Sequence, residues 1–171
     1  MINIIKHSIR FFAFIFIQAF IFNQLEIGLG IQIMVYPLYI FLLPIELNVF
    51  ALMFIAFGFG ISIDYFSNTF GLFASSALLI AYLRPFLFKF LEPRDGFLPG
   101  AELSIYQMGY GWFSSAFVLV LLINNFWFFL IEQFKWKELW FVILKTILST
   151  PLSLGAALLF QMAFFKNTSS K

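Results

Sequence analysis

Long apolar stretches run through the chain, separated by short breaks where polar residues, proline and glycine gather. A helix crossing the hydrocarbon of a bilayer needs about 20 residues. The pattern predicts six spans, at about residues 9–25, 29–43, 47–66, 70–91, 111–131 and 139–165. The second is the weakest, because it is short, contains Gln32 and Pro37, and ends at Pro44. A tight turn at Ser67-Asn68-Thr69 joins the third span to the fourth, which carries Arg84-Pro85 late in its length. The longest polar stretch, 92–110, holds the breakers Pro93, Gly96, Pro99 and Gly100. The sixth span is expected to bend near Pro151. Lys6, His7 and Arg10 ahead of an apolar run resemble a secretory signal, but Asn23-Gln24-Leu25-Glu26 offers no small-residue cleavage site, so a retained first span is expected.

The distribution of basic residues tests whether the second segment crosses or dips back. Lys and Arg near span ends favour the cytoplasmic side. Six crossings with both termini cytoplasmic put Lys6, Arg10, Arg84, Lys89, Arg94, Lys166 and Lys171 inside, against Lys135 and Lys137 outside. Five crossings would move Lys6 and Arg10 outside and erase most of that bias. Six is the better fit. Tyr106, Tyr110 and Trp112 then cluster at the inner interface, and Trp127, Trp136 and Trp140 at the outer end of the last hairpin, as an aromatic belt requires. Small residues recur at four-residue spacing (Ala56 and Gly60, Gly58 and Ser62, Gly71 and Ser75, Ala77 and Ala81, Ser153 and Ala157), which allows close helix packing within the chain or against a partner helix.

Composition agrees. The 171 residues are 63% hydrophobic and 11% charged, against about 25% charged in ordinary globular domains. Six spans use about 120 residues, so the chain is expected to be one integral membrane domain. A formal charge of +2 provides no field suited to nucleic acid. The absence of cysteine excludes thiolate ligands and a cysteine nucleophile, and His7 is the single histidine. No HExxH, P-loop or nucleophile elbow occurs, and the Gly28-Leu-Gly30 and Gly58-Phe-Gly60 pairs lack a dinucleotide context. No enzyme activity, cofactor or metal site is expected.

Charges within spans are expensive, about 2.5 to 3.5 kcal/mol each at a helix centre, so each one needs a reason. Asp64 either bonds to nearby backbone at a helix end or faces a cavity or partner. Arg84 either snorkels toward the inner headgroups or makes an ion pair or partner contact beside Pro85. The two fall at opposite ends of a helical hairpin, about 20 Å apart, too far to pair. Glu46, after Pro44, is expected to cap the third span, and Glu92-Pro93-Arg94-Asp95-Gly96 to form a solvated turn.

The run Gly60-Ile-Ser-Ile-Asp64-Tyr-Phe-Ser-Asn68-Thr-Phe-Gly71, with Ala81-Tyr-Leu-Arg84-Pro85 and Pro93-Arg94-Asp-Gly96, resembles the MreD family of rod-shape membrane proteins, most closely a Bacteroidetes-type branch, over nearly the whole chain. Phe73-Ala74-Ser75-Ser76 departs from it where a histidine is expected. The resemblance implies a six-helix fold similar to the substrate-binding subunits of energy-coupling-factor transporters. It implies a non-enzymatic scaffold in the bacterial inner membrane, working with an MreC-like periplasmic protein, an MreB-like filament, RodA and a class B penicillin-binding protein to organise lateral peptidoglycan synthesis. A partner helix would bind along a small-residue or aromatic groove, with residues 92–110 and Arg84 facing the filament. Pro37, Glu46, Asp64, Asn68, Arg84, Pro85 and Arg94 are the candidate interaction or structural residues. The alternative is a small-molecule carrier or substrate-binding subunit with a polar pocket near Asp64 to Thr69.

Overall fold

The computed structural model describes residues 2–25, 28–92, 96–97, 103–134 and 138–164. Helix α1 spans Ile2–Phe16 and continues as a π-helical turn, Ile17–Ile21, and a 3-10 turn, Phe22–Gln24. A 3-10 turn at Gly28–Gly30 precedes α2, Pro37–Phe41. Then come α3 (Val49–Ser67), α4 (Leu72–Phe90), the single turn α5 (Ile105–Met108), α6 (Tyr110–Gln133) and α7 (Leu139–Phe164). Four of these, α3, α4, α6 and α7 (to Ala163), are long and apolar enough to cross a membrane.

The last four expected spans coincide closely with these helices, and α7 continues through Pro151. The second does not. In place of a helix over 29–43, residues 31–35 form no helix, and only five residues after them are α-helical. Pro37 occupies the first helical turn of α2, where its missing N–H costs nothing. The Gln32 N–H meets Ser149 and the Met34 N–H meets Ser153. Two residues of this segment therefore advance as far as four residues of α7, about 6 Å. That is about 3 Å per residue, an extended chain.

Met34 to Leu43 are buried without a break. The segment starts beside the α3–α4 turn, where Gln32 meets Glu132, and ends at the opposite end of the bundle, where Leu43 and Pro44 meet Arg84. It thus runs through the interior with helices packed around it. Non-helical backbone is tolerated at membrane depth only where protein covers it and satisfies its hydrogen bonds.

Helices α3 and α4 form the tightest pair. A Cβ on Gly60 would lie 2.4 Å from the Ala74 Cα, so the two backbones touch where only glycine fits. Asn68 ends α3 in the left-handed conformation (φ 53°) and Gly71 opens α4 in the same region (φ 81°), which reverses the chain in four residues, Asn68 to Gly71. The core is largely aromatic. Phe41 meets Phe88, Phe113 and Phe117 edge-on, Phe73 meets Phe128, and Tyr39 meets Phe59. Other phenylalanines, among them Phe12, Phe50, Phe54, Phe86 and Phe90, point outward and are exposed. The outer surface is apolar, as a bilayer-facing one must be.

Candidate functional site

Polar side chains in this bundle concentrate around the extended segment and its two ends. At the α3–α4 turn, Asp64 is buried in the last turn of α3. Its carboxylate accepts the Phe73 and Ala74 N–H groups at 3.1 and 2.8 Å and the Thr69 hydroxyl at 2.5 Å. The two N–H groups are orphan donors of the first turn of α4, and a negative charge there is favoured electrostatically as well. Asp64 is thus a cap supplied by one helix to the next, and both its oxygens are committed. Asn68 contributes its backbone conformation, and its side chain is exposed.

Beside this turn lies an open cavity of about 420 Å³, walled by Asn23, Gln32, Ser67, Thr69 and Glu132 over a floor of Leu72, Phe73 and Phe128. Its polar groups are mostly bonded to one another or to their neighbours. Asn23 donates to Ser67 at 2.6 Å and accepts from Gln18 at 2.8 Å. Glu132 accepts from Lys145 at 3.3 Å, and the Lys145 ammonium lies over the Phe129 ring at 5.4 Å.

Below the cavity, a chain of amides and hydroxyls holds the extended segment. Gln18, only 1% exposed in the π-helical turn, accepts the Val35 and Tyr36 N–H groups at 2.8 and 3.1 Å and donates to the Ile33 carbonyl at 3.1 Å. The Tyr36 hydroxyl donates to Asn124. Asn124 donates to Asn125, and Asn125 to Thr150, each at 3.2 Å. Because the segment is not helical, the N–H groups of Gln32, Met34, Val35 and Tyr36 do not bond within it, and side chains of α7 and the π-helical turn replace the missing partners.

At the opposite end, Arg84 is 2% exposed. The expectation of a snorkelling arginine is therefore corrected. Its guanidinium donates to the carbonyls of Phe41 and Pro44, at 3.2 Å each, and of Leu43, and stacks 4.7 Å from the Phe88 ring. It closes the C-terminal end of α2, where carbonyls lack partners and the helix dipole is negative. Pro85 lies inside α4 beside it, partly buried. Asp64 and Arg84 do not approach. Arg84 lies ten residues beyond Ala74 on α4, about 15 Å along the axis. The α3 cap is Asn48, whose side chain accepts the Phe50 N–H at 3.1 Å, and not Glu46, which is exposed in the preceding turn. Arg94 lies outside the described residues.

A further concavity is lateral. A groove of about 540 Å³ runs between α1 and α3, lined by Phe11, Phe12, Tyr39, Leu47, Phe54 and Gly58, with His7 and Ser8 at one end. A Cβ on Gly58 would meet nothing within 4 Å, so this glycine is turned to open space, unlike Gly60 two residues on. The spacing of Gly58 and Ser62 resembles that of Ala56 and Gly60, yet only the second pair is buried, with Gly60 against α4. Among the described residues, no three His, Cys, Asp or Glu side chains come together as a metal site would require.

Gln18, Asn124, Asn125, Ser149 and Thr150 carry the interior network, and attention to charges alone passes over them. The signal is present in the chain, since uncharged amides inside apolar spans also need partners in a membrane. Ser153 falls in the four-residue small spacing, but its hydroxyl, and not its size, serves Met34. No family model, curated protein or solved structure matches the chain.

Proposed function

We propose that the chain is a non-enzymatic scaffold of the bacterial cell-elongation machinery, of the MreD type. It sits in the inner membrane and receives the transmembrane helix of an MreC-like partner in the groove between α1 and α3. The groove carries this proposal. It is apolar, open sideways toward the lipid, and floored in part by Gly58, which lets a second backbone approach closely. Tight van der Waals packing, and not water exclusion, is what drives helices together in a bilayer.

In this proposal the chain crosses six times with both termini cytoplasmic. The second crossing is the extended segment and α2. At about 3.3 Å per extended residue and 1.5 Å per helical one, residues 31–43 rise about 30 Å, the thickness of the hydrocarbon. The α3–α4 turn then faces the periplasm, and Arg84, Lys89 and α5 lie toward the cytoplasm, in line with the positive-inside bias. Exposed Tyr106, Gln107 and Tyr110 would face an MreB-like filament, with RodA and a class B penicillin-binding protein recruited through the assembly.

A second possibility is a small-molecule-binding subunit, favoured by the cavity of about 420 Å³ at the α3–α4 turn. The scaffold is preferred because the polar groups of that cavity already bond to one another or to their neighbours, whereas among the described residues no side chain fills the lateral groove. The test is co-purification with the MreC-like partner. Gly58→Leu, which fills the groove without touching the α3–α4 contact, should abolish capture while leaving the melting temperature of the isolated protein unchanged. Undiminished capture would overturn the assignment of the groove.

A further inference from the structure

We propose that the small cavity beside Arg84 binds the anionic phosphate headgroup of a membrane lipid. The cavity, about 210 Å³, lies between the turn before α3 and the last two turns of α4. Its walls are Ile45, Leu47, Val49, Leu52, Phe88 and Phe97, with Arg84 and Lys89 as its cations. The Arg84 guanidinium is buried and bonded only to carbonyls, and its Nε–H has no partner. Carbonyl dipoles solvate the charge without neutralising it. A buried cation of this kind ordinarily has an anion beside it, and no described carboxylate lies within ion-pair distance of this one.

Glu92 also lines the cavity, but it is exposed and hydrogen-bonds to neither Arg84 nor Lys89. Among the described lining residues, Arg84 and Lys89 outnumber Glu92 by one charge. A phosphate matches the planar donor edge of a guanidinium, and the exposed Lys89 can reach the same anion from the surface. The flank of α4 favours a lipid over free phosphate. Phe86 and Phe90, the latter 82% exposed, border Lys89 and give acyl chains an apolar surface. The site is independent of the partner proposed above, since the chain alone supplies every group.

The experiment is native mass spectrometry of the purified full chain released from mixed nanodiscs of phosphatidylglycerol and phosphatidylcholine. A charge-assisted hydrogen bond of about 1.5 kcal/mol corresponds to about tenfold, so retention of one phosphatidylglycerol about tenfold over phosphatidylcholine is expected. Lys89→Gln, which breaks no hydrogen bond of the fold, should remove most of that preference, and Val49→Phe, which fills the cavity, should remove the bound lipid. Arg84→Lys, read only if its melting temperature is retained, should weaken retention. Equal retention of the two lipids by the wild type would overturn the proposal, as would a preference that survives both Lys89→Gln and Val49→Phe. Stabilisation by inorganic phosphate equal to that by the lipid would assign the site to free phosphate and overturn the lipid headgroup.

Discussion

Gln18→Met removes the side chain that holds the extended segment while keeping its length and most of its volume. In the native bundle Gln18 accepts two N–H groups, from Val35 and Tyr36, and donates to the Ile33 carbonyl and to Asn23. Methionine leaves three backbone groups of a buried, non-helical stretch without partners. An orphaned buried group costs about 1–3 kcal/mol in water-soluble proteins, which sums to about 3–9 kcal/mol. Polar contacts within membranes average about 0.6 kcal/mol, because the unfolded chain also finds partners there, and that sets a floor near 2 kcal/mol. Residues 34–36 are fully buried, so water cannot step in readily, and a loss of about 3–5 kcal/mol is expected. Reversible unfolding in mixed micelles, titrated with a denaturing detergent, measures it. A Gln18→Met protein within about 1 kcal/mol of wild type would refute the claim that this side chain substitutes for helical hydrogen bonding in the segment.

Three further outcomes follow from the same geometry. Asp64→Ala should cost about 2–4 kcal/mol, because two α4 N–H groups and Thr69 lose their acceptor, and Asp64→Asn less, since the amide oxygen still accepts one of them; the same unfolding titration reads both. Gly60→Ala should destabilise by more than about 2 kcal/mol, because the added methyl runs into the Ala74 backbone, while Gly58→Ala should stay within about 0.5 kcal/mol of wild type; equal effects would contradict the observed packing of α3 on α4. Tyr36→Phe should cost about 1 kcal/mol by orphaning Asn124, and a stabilised variant would show that this hydroxyl is not needed in the interior network.

The apolar run lengths determined four helices to within about two residues at each end, because a membrane-crossing helix bonds to itself and needs only length and hydrophobicity to be recognised. The turn between α3 and α4 was equally legible, since Asn68 and Gly71 are residue types that accept positive φ. The second segment was not. Its hydropathy resembles a short span, and nothing local distinguishes a helix from an extended strand whose partners are supplied by Gln18, Ser149 and Ser153, all distant in sequence. The same holds for Arg84. Its chemistry was conspicuous in an apolar span, but burial beneath the carbonyls of Phe41, Leu43 and Pro44 required α2 to end beside it. Gly58 and Gly60 make the point at the smallest scale. The two glycines lie two positions apart on α3 with identical covalent chemistry, and only the placement of α4 decides that one is locked against a backbone while the other stands open to the groove. Local hydrogen bonding and hydropathy are written along the chain; which long-range partner satisfies a buried group, and which face is left uncovered, exists only once the helices have packed.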